Sequence, residues 1–385
     1  MKKCLFIIIS LLLLLNINKP SYVAFAEKQV DNIDDVIEKE LDAIDFTEIE
    51  KYIKDNKIEL PKNFSTIIKN IINGEFSLDY SNVFKYFTEI IFSNVKQIMP
   101  NLITVIIIAL LYKIISTLNG AINEVKDIIY VVMLSCIVTT LLPIINQCII
   151  VAEKTLTNVN NIINVISPII LTLMIASGAS VLASIYQPAV IFYGNIISGL
   201  ITTMILPVIK IIITLNFVTC LFPELKLNGY ISFLNSIVKW ILGISFTIFS
   251  LFISVQGITG GNIDGVTLRA TKYAITNTVP IIGGFISGGF NLVVAGSVLI
   301  KNALGVGAII LLFYTVASPL LFIISVQLTL KGVSAIISTV SDEKISSMCL
   351  STSKNLSLIT TSLLGTVFTF FIFNIIIIVS ATSLI

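Results

Sequence analysis

Apolar and polar positions change their rhythm along this chain, and each change predicts a different kind of element. Cys4 to Leu15 is an apolar stretch 12 residues long, interrupted by Ser10 alone, behind Lys2 and Lys3. Farther on, Ile33, Val36, Ile37, Leu41 and Ile44 recur at helical spacing among Asp and Glu, which predicts an amphipathic helix. Thr47 and Glu50 are spaced as a capping box for a second helix, supported by a Glu50/Lys54 pair one turn apart. Beyond Pro61, a third helix is expected to carry Ile67, Ile68, Ile71 and Ile72 and to stop at Gly74. Asp79 is expected to cap a fourth, with Val83, Phe84, Phe87, Ile90, Ile91 and Val95 on one face. That helix leads straight into lipid. From there the pattern becomes long apolar runs, near 101–118, 128–151, 168–187, 190–209, 238–257, 281–300, 304–330 and 358–381. Each can cross the ~30 Å hydrocarbon layer. The stretch Val190–Phe222 would be ~50 Å long as one helix, so a break is expected at Pro207 or Lys210. Residues 281–300 are either a span or a re-entrant segment. The fold class is therefore an all-α polytopic membrane protein of seven or eight spans, behind a small extracytoplasmic helical domain.

Charge sharpens this division. Residues 27–96 hold 15 acidic and 9 basic side chains, whereas residues 97–385 hold 7 and 12. So few charges could not cover the surface of a water-soluble body of 289 residues. Three domains follow: a signal peptide over 1–26, an acidic helical domain over 27–96 and a membrane domain over 97–385. The apolar run at the start is too short to span, and Ala24-Phe25-Ala26 offers the small residues of a signal-peptidase site, with an uncleaved anchor as the alternative. The exported terminus makes the first crossing run inward. With eight spans, seven basic residues then face the cytoplasm and five face outward, and the C-terminus lies outside. The acidic domain reads either as a spacer or as a docking surface for an extracytoplasmic partner.

Composition removes several chemistries. There is no His, so neither imidazole catalysis nor His-ligated metal is expected. The five Cys are widely separated, without a CxxC pair, and read as small apolar fillers. A net charge of +2 gives no nucleic-acid footprint. No cofactor, metal or enzymatic activity is expected. Pro143, Pro168, Pro188, Pro207 and Pro319 lie in or beside the spans and are expected to break several of them. Asn146, Gln147, Asn195, Asn216, Gln256, Gln327 and Asn374 fit either interhelical hydrogen bonding or a polar path.

Eleven of the 20 glycines fall between Gly257 and Gly307. This glycine-rich centre surrounds Arg269, the single Arg of the chain, with Lys272 and Lys301 nearby. Arg269, Lys272 and Lys301 are expected as a loop and span-end cluster. They either anchor to lipid phosphates or pair with acidic groups, Asp264 among them. Gly284 and Gly288 share a helix face and suit close helix packing.

These residues also carry a resemblance. The run Gly265-Val-Thr267-Leu268-Arg269-Ala-Thr-Lys272-Tyr273-Ala274, followed by Asn277, Pro280, Gly283-Gly284 and Lys301-Asn302 with Gly305, resembles the central signature of the stage III sporulation protein AE family. Ser167-Pro168, Leu171-Thr172-Leu173, Gly178, Tyr186 and Pro188 are similar to an earlier block of it. The resemblance implies a multi-pass subunit of the channel-like, secretion-like apparatus joining mother cell and forespore in endospore-forming bacteria. It implies partners among the other membrane and ring-forming subunits of that complex, and membrane lipid. An autonomous permease for small molecules or ions is the alternative.

Overall fold

The computed structural model describes residues 33–56, 58, 60–76, 80–118, 123–278, 283–340 and 343–382. The signal peptide with Ala24 and Ala26, the expected cap Asp79, and Pro280 lie outside the described residues. The described residues are helical throughout, joined by short turns. Three short helices come first: α1 (Ile33–Asp42), α2 (Thr47–Asp55) and α3 (Phe64–Ile72). Long ones follow: α4 (Tyr80–Leu118), α5 (Asn123–Ala176), α6 (Ser180–Leu200), α7 (Leu206–Leu221), α8 (Asn228–Thr278), α9 (Gly283–Val340) and α10 (Glu343–Thr382). A π-helical turn, Ile201–Ile205, joins α6 to α7.

The short helices follow the periodicity, with Ile37, Leu41, Ile49, Phe64, Ile67 and Ile68 buried. Gly74 closes α3 with φ +69°, a left-handed conformation that glycine adopts freely. The capping box is not formed. Asp45 Oδ1 instead accepts the Thr47 N–H at 2.8 Å, and Glu50 turns away to accept the Ser65 hydroxyl of α3 at 2.8 Å. Glu50 thus ties two helices together rather than closing its own.

Six segments of the described residues are long and apolar enough to cross a membrane: Val83–Thr117, Ile128–Ala176, Gly194–Leu221, Asn228–Phe249, Asn291–Val340 and Glu343–Ile378. The chain is a multi-pass helical membrane protein. Expected spans are joined rather than separated. α9 runs unbroken through 281–300 and 304–330, apart from the undescribed first positions, and α5 continues past 151 to Ala176. The reason is visible in α5. Ala152, Leu156, Val159, Ile162, Ile163 and Ile166 stay buried on one face through the polar interval, while Glu153, Lys154, Asn161 and Asn164 are exposed on the other. Pro143, Pro168, Pro188 and Pro319 sit inside continuous helices instead of breaking them. Between α5 and α6 the chain does turn, at Gly178, whose φ is +87°.

α9 is the hub. It packs against α10 most extensively, and also against α4, α5, α8, α1 and α3.

Candidate functional site

The site is built where the glycine-rich part of α9 meets α10 and the N-terminal helices. α9 and α10 run antiparallel and are pinned by hydrogen bonds along their length. Ser334 and Ser346 each donate to the other's carbonyl, at 2.8 and 2.9 Å. Ser353 donates to the Gln327 carbonyl at 2.9 Å, and Gln327 Nε2 donates to Thr360 Oγ1 at 2.5 Å and to the Leu356 carbonyl at 3.3 Å. In the same register, farther along, lies Lys301.

Lys301 is fully buried. Its amine donates to the carbonyls of Ile377 at 2.7 Å and Ile378 at 3.3 Å. A carbonyl has two lone pairs, so these can accept a side chain while serving their own helix. Both lie near the C-terminal end of α10, where the carbonyl ends of the peptide dipoles accumulate. The amine reaches this backbone because α9 comes close. A Cβ on Gly305 would lie 2.6 Å from Ile378 Cγ1 and 2.9 Å from its Cδ1. Asn302, next to the lysine, buries its Oδ1 with no hydrogen-bond partner.

The adjoining face of α9 receives the N-terminal helices. A Cβ on Gly307 would collide with Ile68 Cδ1 and approach Phe64 Cζ to 3.2 Å, so α3 seats where a side chain is missing. One turn before Lys301, the Ser297 hydroxyl donates to Glu40 of α1, at 3.2 Å to Oε2 and 3.5 Å to Oε1. Burial pushes the Glu40 carboxyl above its ordinary range, and the Ser297 hydrogen bond opposes that in part. A third tie binds α2 to α5: Tyr52 donates its hydroxyl to the Asn158 carbonyl at 2.9 Å. Burial pushes the Tyr52 phenol up to about 12. Nearby, a small apolar cleft opens between α4, α9 and α10, lined by Phe87, Phe313, Leu320, Leu364, Phe368 and Phe371 among others.

The stage III sporulation protein AE family model matches residues 62–382. The chain belongs to that family. Among curated proteins, stage III sporulation protein AE of Bacillus subtilis (strain 168) is 25% identical over 280 residues, covering 72% of this chain and 70% of that one. No solved structure matches.

The family signature is distributed rather than gathered. Gly265, Thr267, Leu268, Arg269, Lys272 and Tyr273 lie along the distal part of α8, and Gly283 and Gly284 begin α9. The segment expected as a loop around Arg269 is therefore helical. Gly257, Gly260 and Gly261 are inside that helix too. Glycine is a poor helix former, but an apolar setting makes the internal hydrogen-bond ladder the favourable way to satisfy the backbone. Arg269 and Tyr273 are exposed. The Asp264 side chain, its expected local partner, lies outside the described residues. Lys301, Asn302 and Gly305 form the second group, at the α9–α10 junction. Tyr186 and Gly178 of the earlier block are explained by packing and turning: Tyr186 is buried edge-on against Phe373 of α10, with ring centroids 5.6 Å apart. Sequence reasoning named Lys301 and Gly305 but missed Glu40, Ser297, Tyr52 and Gly307 as one junction. Their signal was faint: single polar or small residues whose partners lie far away in the chain. Among the described residues, no cluster of Cys, Asp and Glu could hold a metal ion.

Proposed function

We propose that this chain is a non-enzymatic membrane subunit of the complex connecting mother cell and forespore, serving forespore development in a structural or channel-forming role. It sits in the mother-cell membrane, crossing it with the six long apolar segments, and its N-terminal domain faces the space between the two membranes. Its partners are the other membrane and ring-forming subunits of that complex. Family membership supports the sporulation setting. The observation that carries the structural role is the three-point attachment of α1–α3 to α5 and α9 beside Lys301. It couples a water-exposed domain rigidly to the helix that touches most of the others, as a platform for ring-forming subunits requires. The polar side chains of the α9–α10 seam bond across the helix pair, which favours interhelical bonding over a solute path and so a subunit over an autonomous permease.

The test uses the full chain in sporulating cells. Lys301→Met keeps the stem and removes the amine. It is expected to insert and melt like the parent, because a buried amine costs about as much to desolvate as its hydrogen bonds return. Mild detergent extraction is then expected to yield less complex, and spore counts to fall. Arg269→Ala is expected to act likewise. Normal spores from both variants would remove these residues from the role. Solute uptake by the purified chain alone in liposomes would favour the permease.

A further inference from the structure

Height decides what an exposed apolar side chain meets, and α5 supplies the scale. Between Asp127 and Glu153 lie 25 uncharged residues. They rise ~37 Å as helix, which already exceeds the ~30 Å hydrocarbon layer. Above them the exposed positions of α5 turn polar: Glu153, Lys154, Thr157, Asn161 and Asn164. At the same height Tyr52 donates to the Asn158 carbonyl. Tyr52 belongs to α2, which exposes Glu48, Lys51, Lys54 and Asp55. From Glu153 upward, α5 therefore stands outside the lipid tails.

Contacts place α8 on this scale. α10 climbs beside α5: the Lys344 amine lies 5.5 Å over the Tyr130 ring at the lower end. Higher up, a Cβ on Gly194 would lie 2.9 Å from Asn160 Oδ1 of α5 and 3.6 Å from Phe370 Cζ of α10, so Asn160 and Phe370 share a height. Five residues below Phe370, a Cβ on Gly365 would collide with the Phe246 ring of α8. Phe246 thus points inward, about level with Thr155. The outer face of α8 carries Trp240, Ile244, Ile248 and Leu251, each at least half exposed and at helical spacing. Ile244 is level with Glu153, and Ile248 and Leu251 climb to the height of Thr157 to Asn161. Gly243 and Thr247 share this face, and a Cβ on Gly243 would meet open space. At one height, then, α5 is polar outside and α8 is apolar outside. A bilayer surrounds every side of a protein at a given height, so lipid does not account for the α8 stripe. A protein surface does.

The apolar cleft between α4, α9 and α10 is the matching surface. Its α10 wall is Leu364, Val367, Phe368 and Phe371, the same turns that hold Gly365 and Phe370, so cleft and stripe have one height. The residues that line it come from α4, α9 and α10 alone. The stripe points away from α10, so one molecule cannot fill its own cleft. A bilayer holds every copy upright and at one level, and a neighbouring copy therefore brings its stripe to this cleft without tilting. Equal height is what two surfaces need if they meet between copies; a different protein would place no such demand on this chain. Stripe against stripe across a two-fold axis is disfavoured, because exposed Lys239, beside Trp240, would face its own copy.

We infer that copies of this chain associate side by side, the α8 stripe of one seating in the α4–α9–α10 cleft of the next, at the outer edge of the lipid. Gly243 and Thr247 let the backbones approach. The contact is head-to-tail, and repeating it closes a ring where the rotation between neighbours allows. It needs no other protein, so its test is separate from the sporulation role: the full chain is placed in the membrane of growing cells that make no spores. A photo-crosslinking residue at Ile248 is expected to give an adduct with a second copy, attached through peptides that contain Phe87, Phe313 or Phe368. The same probe at Thr157, at equal height on the polar face, is expected to yield about tenfold less. Leu251→Glu is expected to lower the Ile248 adduct about tenfold, the change that ~1.4 kcal/mol produces, with an unchanged thermal midpoint because Leu251 is exposed. Val367→Trp, which fills the cleft from the other side, is expected to act likewise. Adducts with lipid alone, with other proteins alone or through α8 of the second copy would overturn the inference, as would equal yields at Ile248 and Thr157 or a full yield from Leu251→Glu. A copy-to-copy adduct together with normal spores from Leu251→Glu would uphold the contact and remove it from the sporulation role.

Discussion

At the scale of single residues, the junction depends on what is absent as much as on what is present. Gly307 leaves the place that Ile68 and Phe64 fill, and Gly305 lets the amine of Lys301 reach the backbone of α10. Gly307→Ala sets two effects against each other. Ala is the better helix former by ~1 kcal/mol, but overpacking a filled site costs about 1–3 kcal/mol. Because the new methyl meets both Ile68 and an aromatic ring, the second effect is expected to win. Proteolysis of α1–α3 should then accelerate while the long helices stay protected. Glu40 adds a dependence on pH. Its carboxyl is raised above the ordinary value of 4.5 by burial. A raised pKa means that the docked state holds its proton better than the released state. The contribution of Glu40 to docking is therefore fully present below about pH 4.5 and is lost as pH rises through the higher, docked value. Protease protection of the N-terminal helices should weaken on going from pH 4.5 upward. Glu40→Gln, which keeps an acceptor for Ser297 without the charge, should flatten that profile and protect better at neutral pH.

At the scale of elements, apolar period and proline position were legible, and continuity was not. The short helices fell where their Ile spacing put them, since a stripe at 3.6-residue intervals has one way to be buried. The long helices exceeded their expected bounds because a run's hydropathy does not report whether the next polar interval still has a buried face, as α5 does at Ala152, Leu156 and Val159. Prolines misled for a related reason. One missing N–H ends a helix only if nothing else holds it, and Pro143 and Pro168 are flanked by buried residues on both sides. Pro207 is the instructive case. The expected break appears as the π-turn Ile201–Ile205, which spends one extra residue in a turn without stopping the helix. That extra residue sets the phase of α7, keeping Ile209, Ile212 and Ile213 inward and Lys210 outward. Deleting Thr203 should convert the π-turn to α-helix and leave that phase intact, so the variant should remain monodisperse in detergent. Deleting Ile211 should rotate the following half-turns by ~100°, carry Ile212 to an exposed position and Thr214 to a buried one, and abolish folding. The seam of α9 and α10 is a second element-scale device. Gln327→Leu removes both of its cross-helix bonds and should lower the thermal midpoint in detergent, at a cost of about 1–2 kcal/mol.

At the scale of the molecule, lengths decide the architecture. The candidate spans in α5 and α9 contain 49 and 50 residues, which rise ~75 Å as helix against a hydrocarbon layer of ~30 Å. More than half of each must lie beyond the lipid tails. The N-terminal helices attach to these two, at Asn158 of α5 and at Ser297 and Gly307 of α9. A domain fixed at three separated points on two helices has no freedom to swing unless contacts on both are released. Its attachments should then behave as independent contributions to a single docking equilibrium, because additivity holds for sites that share no partners. Tyr52→Phe removes the hydroxyl that engages α5 and should cost about 1 kcal/mol. Gly307→Ala acts separately on α9. Hydrogen exchange of α1–α3 in the double variant should report the sum of the two single effects to within about 0.5 kcal/mol. A double variant no worse than either single one would mean that the domain leaves as soon as one tie is cut, so that the remaining ties add nothing. In that case the N-terminal helices would be a detachable arm, and the rigid coupling on which the platform role rests would be lost with them.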